Sequence, residues 1–596
     1  IDKTNSNYNV RLSVGLNYNI IKGLKFSSTY SLDHYFTRVY TFTPDYLKYD
    51  KKSEVQASNI AMTNIQTENI LTYNLALPSE HKLELMAGMT YNYDLLQNLS
   101  GTAKGGPTNS IKYAGEGWPS LFNDGGTIRA AQSFLTNQQE QSLLSFLGRA
   151  AYSYKKRYMA ELSIRADGSS VFGKDVRWGT FPSVGLGWAF SEEHFMKKFW
   201  WLSFGKLRAS WGKSGQKFQE PYLALGVMEE SNIFNGSLGL IPQSMANKKL
   251  TWEESDQYDL GLDLQMLDYR LKLKLDYYYK YSSKLLMQSY LPGNVFLATN
   301  MWDNASAISN EGIEFEAQYD VIRKKNWNWS VGFNLSHNKN MLRKTYNGED
   351  LNDKVLGRPV YGIYTFKDEG IVQKEEDIPM YPNASGKQIP LYFQSINNPL
   401  RVGGRKIKDQ NYDGVIDDKD LYYAGSTLPA VYGGLNSHLE WKGLSFDVLF
   451  SYTISRKVMN MYKNSAFTFT KDFGVIMNYF HAGDFWTTSN RDAKYPSLEF
   501  ADKDYVGQFD GNVDSNIENI SFLRLKQLVI GYQIPKNWLK GSFIKDANVY
   551  LSGENLFLIT NYSGVDPEII NPYSGKDDGT QYPLNRKVTL GLNLKF

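Results

Sequence analysis

Alternating polarity is the strongest structural signal in this chain of 596 residues. Near the C-terminus, Val588, Leu590, Leu592, Leu594 and Phe596 lie on one face, and the residues between them are polar or glycine. A period of two places successive side chains on opposite faces of a β-strand. The same pattern recurs at 10–18, 83–93, 158–167, 271–281, 327–337, 444–452 and 549–557. The chain is therefore predicted to be all-β.

The predicted strands are joined alternately by short and long connections. Short turns are predicted at 20–22, 78–82, 155–157, 267–269, 323–326 and 441–443. Long polar stretches are predicted at about 98–141, 213–254, 284–311, 339–428, 454–519 and 560–587. This alternation is typical of a transmembrane antiparallel β-barrel with short periplasmic turns and long extracellular loops.

The strand count indicates that this barrel is part of a larger one. We expect about 17 strands between Tyr8 and Phe596, whereas closed bacterial barrels normally have an even number. If the last strand runs inward, every short turn falls on the periplasmic side. The first strands of the barrel would then be missing from the chain or supplied by another polypeptide.

Composition excludes several other classes of protein. Aromatic residues make up 15% of the chain and charged residues 21%, and the mean hydropathy is −0.44. Such a chain is too polar for a helical membrane protein and too aromatic for a disordered one. The formal charge of +3 offers no basic excess for nucleic acid, and zero cysteines exclude disulfides. A soluble propeller or sandwich is the alternative, but we find no blade repeat and the connections are too long.

Several short motifs follow one another in a characteristic order. They read RADGSSVF (165–172), RWGTFPS (177–183), LRASWGKSG (207–215), LTWEE (250–254), ISNEGIEF (308–315) and VDPE (565–568). This series resembles the barrel of the SusC/RagA-like TonB-dependent transporters of the Bacteroidetes. The resemblance implies that residues 1–596 are the C-terminal part of a barrel of roughly 22 strands. The family's N-terminal plug and TonB box have no counterpart in this sequence.

The resemblance also implies a function, partners and a location. The expected function is import of oligosaccharides or peptides across the outer membrane of a Gram-negative, Bacteroidetes-like bacterium. The implied partners are a SusD-like lipoprotein lid, the TonB complex acting through a plug, and outer-membrane lipid, but no nucleic acid. The alternative is a structural or docking barrel in a larger outer-membrane complex, without transport activity.

The segment 341–427 is much longer than an ordinary connection, and we expect it to form an ordered extracellular loop subdomain. Within it, residues 409–420 read DQNYDGVIDDKD. Oxygen ligands at positions 1, 3 and 5, glycine at 6 and a carboxylate at 12 match the spacing of a calcium-binding loop. The predicted ligands are the side chains of Asp409, Asn411, Asp413, Asp417 and Asp420 and the backbone carbonyl of Val415. A structural calcium ion is therefore expected, with a solvated Asx-rich turn as the alternative.

Catalytic motifs are not found, so we expect no enzymatic activity. The six histidines lack an HExxH pairing, and no GxSxG elbow occurs. Lys213 lacks the upstream glycine of a phosphate-binding loop. Glu253 and Glu254 are adjacent in a predicted strand, so they should point to opposite faces and could not flank one glycosidic bond.

Overall fold

The computed structural model describes residues 1–596 except 115–117, 125–126, 235–236, 296–299, 352–353, 384, 462–480, 502–511 and 580. The described residues are mostly in β-strands, and their helical turns are of the 3₁₀ type. Among them, no helix is long and apolar enough to cross a membrane. The all-β prediction is confirmed.

Thirty strands are numbered in chain order. The first sixteen are β1 (Asp2–Ile21), β2 (Leu24–Thr43), β3 (Glu54–Ala76), β4 (His81–Lys104), β5 (Leu121–Asp124), β6 (Thr127–Ala130), β7 (Gln132–Tyr154), β8 (Tyr158–Ser169), β9 (Trp178–Trp188), β10 (Leu202–Gln216), β11 (Val227–Phe234), β12 (Ser237–Ser244), β13 (Glu253–Met266), β14 (Leu271–Tyr290), β15 (Asn300–Lys324) and β16 (Trp327–Lys344). The others are β17 (Gly362–Thr365), β18 (Asp368–Ile371), β19 (Met380–Pro382), β20 (Gln388–Pro390), β21 (Tyr392–Phe393), β22 (Arg405–Ile407), β23 (Val415–Ile416), β24 (Tyr422–Ser426), β25 (Val431–Trp441), β26 (Leu444–Asn460), β27 (Ile517–Gln533), β28 (Asp546–Thr560), β29 (Lys576–Asp577) and β30 (Lys587–Lys595).

Short 3₁₀ helices interrupt the connections. They are Asp45–Leu47, Lys174–Val176, Phe190–Glu192, Leu223–Leu225, Glu375–Asp377, Asp418–Asp420, Ala482–Asp484, Leu498–Ala501, Asp514–Asn516 and Lys536–Trp538.

The main sheet contains 18 of the described strands, and the other twelve form six separate pairs. One member of the main sheet, β29, has only two residues and pairs in parallel with β26. Without β29, the main sheet has 17 strands in the described part of the chain. The predicted strand number is therefore confirmed.

The chain divides into two compact units, each built on antiparallel neighbours. The first comprises Ile1–Ala189, Arg208–Tyr258 and Tyr281–Ala307. Within it, β1, β2, β3, β4, β7, β8 and β9 pair in that order. A buried aromatic cluster in this unit includes Phe172, Phe181, Phe218 and Trp252.

The second unit comprises Phe190–Leu207, Asp259–Lys280 and Ile308–Phe596. Within it, β16, β25, β26, β27, β28 and β30 pair in that order, all antiparallel. In β30, Val588, Leu590 and Leu592 are 68%, 75% and 59% exposed. These residues belong to the apolar face that the alternation predicts for the last strand.

The predicted short turns coincide with tight connections. Residues 155–157 join β7 to β8, 325–326 join β15 to β16, and 442–443 join β25 to β26. At the first of these, Lys155 and Lys156 take left-handed φ values of 52° and 54°. Such values reverse the chain within a few residues.

The long connections are shorter than the sequence indicated, because the strands extend into them. β4 continues to Lys104 and β7 begins at Gln132, so much of the predicted connection 98–141 is paired sheet. Many side chains in this part of the strands are polar, so the alternation of apolar and polar residues that predicts a strand is weak there. The backbones of these residues nevertheless pair. Much of the connection predicted at 454–519 (462–480 and 502–511) lies outside the described residues.

Candidate functional site

The segment between β16 and β25 packs around a buried core of its own. Val372, Leu391, Phe393, Ile407 and Ile416 are each at most 3% exposed and form one cluster. The core supports four short strand pairs: β17–β24, β18–β22, β19–β20 and β21–β23. The described residues of 341–427 are therefore well packed. The assignment of this segment as an extracellular subdomain stays a prediction.

A second segment, at 481–501 and 512–516, packs against the first. Val513 is fully buried in the same core, and its backbone pairs with Phe366. The Trp486 indole donates to Gln373 Oε1 at 3.0 Å. The Trp486 ring also lies so close to Gly403 that a Cβ there would come within 2.6 Å of it. Together the two segments form what we call the loop cluster, residues 345–427, 481–501 and 512–516.

Asp514 is a polar link within the loop cluster. Its carboxylate accepts hydrogen bonds from Lys367 Nζ at 2.7 Å, Tyr422 OH at 2.7 Å and the Asp368 backbone N–H at 2.9 Å. Burial opposes ionisation of this carboxyl, but these donors outweigh it and lower the pKa of Asp514. Burial, together with the bond to Asp514, raises the pKa of Tyr422 to about 12. A charged Asp514 therefore ties the second segment to the first.

The predicted calcium loop, 409–420, is organised by two buried carboxylates. Asp409 is 5% exposed and accepts the backbone N–H groups of Tyr412 at 2.6 Å and Gly414 at 2.8 Å. Asp420 is fully buried and accepts those of Gln410 at 2.7 Å and Asp417 at 2.9 Å. Gly414 has φ +85°, a left-handed conformation that suits glycine at the sharp turn.

The remaining predicted ligands lie in the same loop and also bond locally. Asp413 Oδ1 accepts the N–H of Val415 at 3.0 Å, and Asp413 Oδ2 accepts the amide of Asn411 at 2.9 Å. Asp417 Oδ1 accepts the N–H of Lys419 at 2.8 Å. Among the described residues, no group of three or more Asp, Glu, His or Cys is placed to hold a metal. The predicted set also uses an amide and a carbonyl oxygen, so calcium stays a prediction.

The two buried carboxylates of this loop repel each other. Burial first, and then the nearby Asp409 carboxylate, raise the pKa of Asp420 despite its backbone hydrogen bonds. Burial, followed by a hydrogen bond to Asp409, raises the pKa of Tyr381 to about 12. A positive charge among these oxygens would therefore be favourable.

The two other motifs for which enzymatic roles were considered are Lys213 and the pair Glu253 and Glu254. Glu254 contacts Lys213 at 3.1 Å and Lys284 at 2.5 Å, whereas Glu253 accepts the backbone N–H of Leu286 at 2.7 Å. The two glutamates therefore have different partners. Lys213, Lys284 and Glu254 form an ion cluster.

Comparison with known proteins identifies the family. Residues 1–556 match the family described as TonB dependent receptor-like, beta-barrel. The chain belongs to this family. This TonB-dependent receptor barrel is SusC/RagA-like, and it is an outer-membrane protein of a Gram-negative bacterium, as predicted.

Relatives and solved structures agree with this assignment. The chain is 29% identical over 589 residues to the TonB-dependent receptor P26 of Formosa agariphila, covering 96% of this chain and 57% of that protein. It is 29% identical over 495 residues to the TonB-dependent receptor SusC of Bacteroides thetaiotaomicron, covering 81% of this chain and 46% of that protein. The structure of the RagAB peptide transporter superposes with a TM-score of 0.80 at 22% identity, covering all of this chain and 62% of that one. The likeness to RagAB shows the barrel fold, and the chain spans less than two thirds of these proteins.

The second segment of the loop cluster, 481–501 and 512–516, is the part of the site that the sequence analysis did not predict. The prediction treated 341–427 as a unit, whereas Val513 of another connection completes its core. Trp486 and Asp514 of that connection hydrogen-bond to the first segment. The sequence indicated this contact only by the presence of two apolar residues, Trp486 and Val513, in a polar connection. Nothing in their spacing indicated which segment they would meet.

Proposed function

We propose that this TonB-dependent receptor barrel belongs to an importer of oligosaccharides or peptides. The observation that carries the proposal is the family match across residues 1–556. In this proposal the barrel is the passage through the membrane, and energy reaches it from TonB through the family's plug domain. No covalent chemistry is needed, and the relatives are receptors and transporters by name.

The proposed partner is a SusD-like surface lipoprotein that covers the barrel mouth. The loop cluster supports this idea because its core is well packed and its internal ties are charged and directional. A preorganised surface loses little conformational entropy when a partner docks. Co-purification of a SusD-like lipoprotein with the tagged full-length protein would be the expected result. Repeated isolation of the barrel without such a partner would contradict the proposal.

Import itself is tested in cells. Deleting the gene for the full-length protein should abolish uptake of at least one labelled oligosaccharide or peptide, and the intact gene should restore it. A protonophore should stop the same uptake, because TonB draws on the inner-membrane proton gradient. Unchanged uptake in the deletion strain, across both classes of cargo, would favour the docking-barrel alternative.

We also propose that the 409–420 loop binds calcium as a structural ion. Its donors would be Asp409, Asn411, Asp413, Asp417 and Asp420 with the Val415 carbonyl, all hard oxygen ligands that suit this cation. Repulsion between the buried Asp409 and Asp420 supports the proposal. The ion would offset that repulsion and hold the loop rigid.

Calcium binding is tested with matched variants of the same loop. Asp413→Ala removes a predicted ligand, whereas Asp418→Ala removes an exposed carboxylate outside the predicted set. Calorimetric titration should give one calcium site in the parent and in Asp418→Ala, and weaker binding by at least tenfold in Asp413→Ala. Equal affinity in both variants would refute the ligand assignment.

A further inference from the structure

We propose that the short-turn end of the strands in the second unit binds the headgroups of anionic phospholipids. We call this end the turn rim, and it comprises 190–201, 267–270, 324–326, 442–443 and 534–545. The predicted orientation puts the turn rim at the inner leaflet of the outer membrane, where phospholipid headgroups lie. The inference is independent of the import proposal, because a docking barrel would meet the same lipids.

The first turns of the rim adjoin one another through the backbone. The Leu267 N–H donates to the Trp201 carbonyl at 2.9 Å, so the connection after β9 and the turn after β13 are neighbours. The Asp320 N–H donates to the Arg270 carbonyl at 2.8 Å, close to the end of β15. The turn after β13 therefore also lies beside the turn after β15.

The other turns of the rim are adjacent because their strands pair. The Lys442 N–H donates to the Asn326 carbonyl at 3.1 Å. The Gln533 N–H donates to the Gly443 carbonyl at 2.7 Å. The connections after β15, β25 and β27 therefore follow one another along the same end of the strands.

The turn rim carries an excess of positive charge. It contains nine basic and three acidic residues, and the acidic ones are Glu192, Glu193 and Asp268. Eight of the basic residues are exposed lysines: Lys197, Lys198, Lys324, Lys325, Lys442, Lys536, Lys540 and Lys545. In the first segment of the loop cluster, 345–427, acidic residues outnumber basic ones, so that segment does not share the excess. A membrane surface with anionic headgroups attracts clustered lysines of this kind.

Large aromatic side chains are exposed among these lysines. Phe195, Trp200, Trp538 and Phe543 are each more than half exposed, and Trp200 reaches 84%. Aromatic rings beside lysines are typical of the headgroup level of a membrane, where the ring meets the acyl boundary and the ammonium group reaches the phosphates. A soluble polyanion would pair with the lysines but leave the rings in water. The combination therefore favours a lipid surface.

The turn rim is continuous with the predicted lipid face. The Phe543 ring stacks on the Phe596 ring, with the centroids 5.6 Å apart. Phe596 belongs to the apolar face that begins at Val588. The Lys545 N–H donates to the Lys595 carbonyl at 2.7 Å, so this exposed lysine is beside the same strand. The lysines of 534–545 are therefore placed where headgroups border the acyl chains.

The test measures the lipid preference of the purified full-length protein. The protein is reconstituted in phosphatidylcholine vesicles, and electron paramagnetic resonance compares spin-labelled phosphatidylglycerol with spin-labelled phosphatidylcholine. We expect phosphatidylglycerol to associate about twofold more strongly or better, because each lysine near an anionic headgroup adds attraction. The preference should disappear at a salt concentration of about 1 M, where charges are screened beyond about 3 Å.

Matched lysine substitutions locate the binding surface. The rim variant carries Lys536→Gln, Lys540→Gln and Lys545→Gln. The control variant carries the same change at three exposed lysines of the loop cluster, Lys374→Gln, Lys387→Gln and Lys494→Gln. The rim variant should lose at least half of the preference for phosphatidylglycerol, and the control variant should keep it.

Several results would overturn the inference. Equal association of the two lipids with the parent protein would do so, and so would equal losses in the two variants. Loss of the preference when inorganic phosphate replaces chloride at constant ionic strength would indicate a site for free phosphate instead. Sedimentation with purified peptidoglycan that depends on the rim lysines, without any lipid preference, would assign the turn rim to the cell wall.

Discussion

Asp514→Ala should detach the second segment of the loop cluster from the first. The substitution removes the acceptor for Lys367, for the Tyr422 hydroxyl and for the Asp368 N–H. Tyr422 and the Asp368 backbone are partly buried, so they would lose a partner that water replaces poorly. The main sheet contains none of these groups and should keep its fold.

The magnitude follows from the two less exposed donors. A hydrogen bond to a charged acceptor contributes about 1.5 to 3 kcal/mol, so the bonds from Tyr422 and Asp368 together contribute about 3 to 6 kcal/mol. The Lys367 ammonium is exposed, so its bond to Asp514 stabilises the cluster in the same direction but only slightly. A loss of about 3 kcal/mol raises the population of the opened cluster about 100-fold.

Limited proteolysis of the folded protein measures this opening. When the cluster opens and closes faster than it is cut, the cleavage rate follows the open population. We expect cleavage at 485–501 and 512–516 to accelerate about 100-fold in Asp514→Ala, at the lower bound of that estimate. Asp492→Ala, at an exposed carboxylate of the same segment, is the matched control. Equal cleavage of Asp514→Ala and the parent would refute the role of this carboxylate.

The same link should weaken in acid. Because the folded pKa of Asp514 is depressed, its contribution is complete above the unfolded value near 3.8 and is lost as the pH falls through the lower folded pKa. Pepsin, which acts at these pH values, should cut the parent faster below about pH 4 and cut Asp514→Ala with a smaller change. A parallel pH dependence in both proteins would exclude Asp514 as the titrating group.

Two further predictions concern the barrel wall and the loop-cluster core. Leu592→Arg places a charge on the lipid face, which destabilises the barrel by about 2 to 4 kcal/mol, and should reduce the amount of protein in the outer membrane. Asn593→Arg, on the opposite face, should be tolerated. Quantitative blotting of membranes compares the two variants. Trp486→Ala removes a side chain that is 7% exposed and should destabilise the cluster by about 3 to 5 kcal/mol. Proteolysis should therefore accelerate in Trp486→Ala but not in Trp538→Ala, where the side chain is 73% exposed, and similar rates in the two variants would contradict the packing argument.

The barrel strands could be predicted because their signal is local. At 588–596, five alternate positions from Val588 to Phe596 are apolar, as expected for a strand that faces lipid, and this pattern is visible in nine consecutive residues. The tight turns are equally local. Strand ends are different: Asn98, Ser100 and Thr102 lie on one polar face of β4, beyond the part of the strand in which the alternation is strongest. Backbone pairing to β7 keeps these residues extended. Such pairing does not require particular side chains, so it cannot be recognised from the amino-acid composition.

The loop cluster could not be predicted because its contacts are distant in sequence. Phe366 meets Val513, and Trp486 meets Gln373, across more than 100 residues. Single buried apolar residues in polar connections do not specify their partners. The carboxylates of 409–420 were found by spacing alone, and that spacing does not show that two of them, Asp409 and Asp420, are buried.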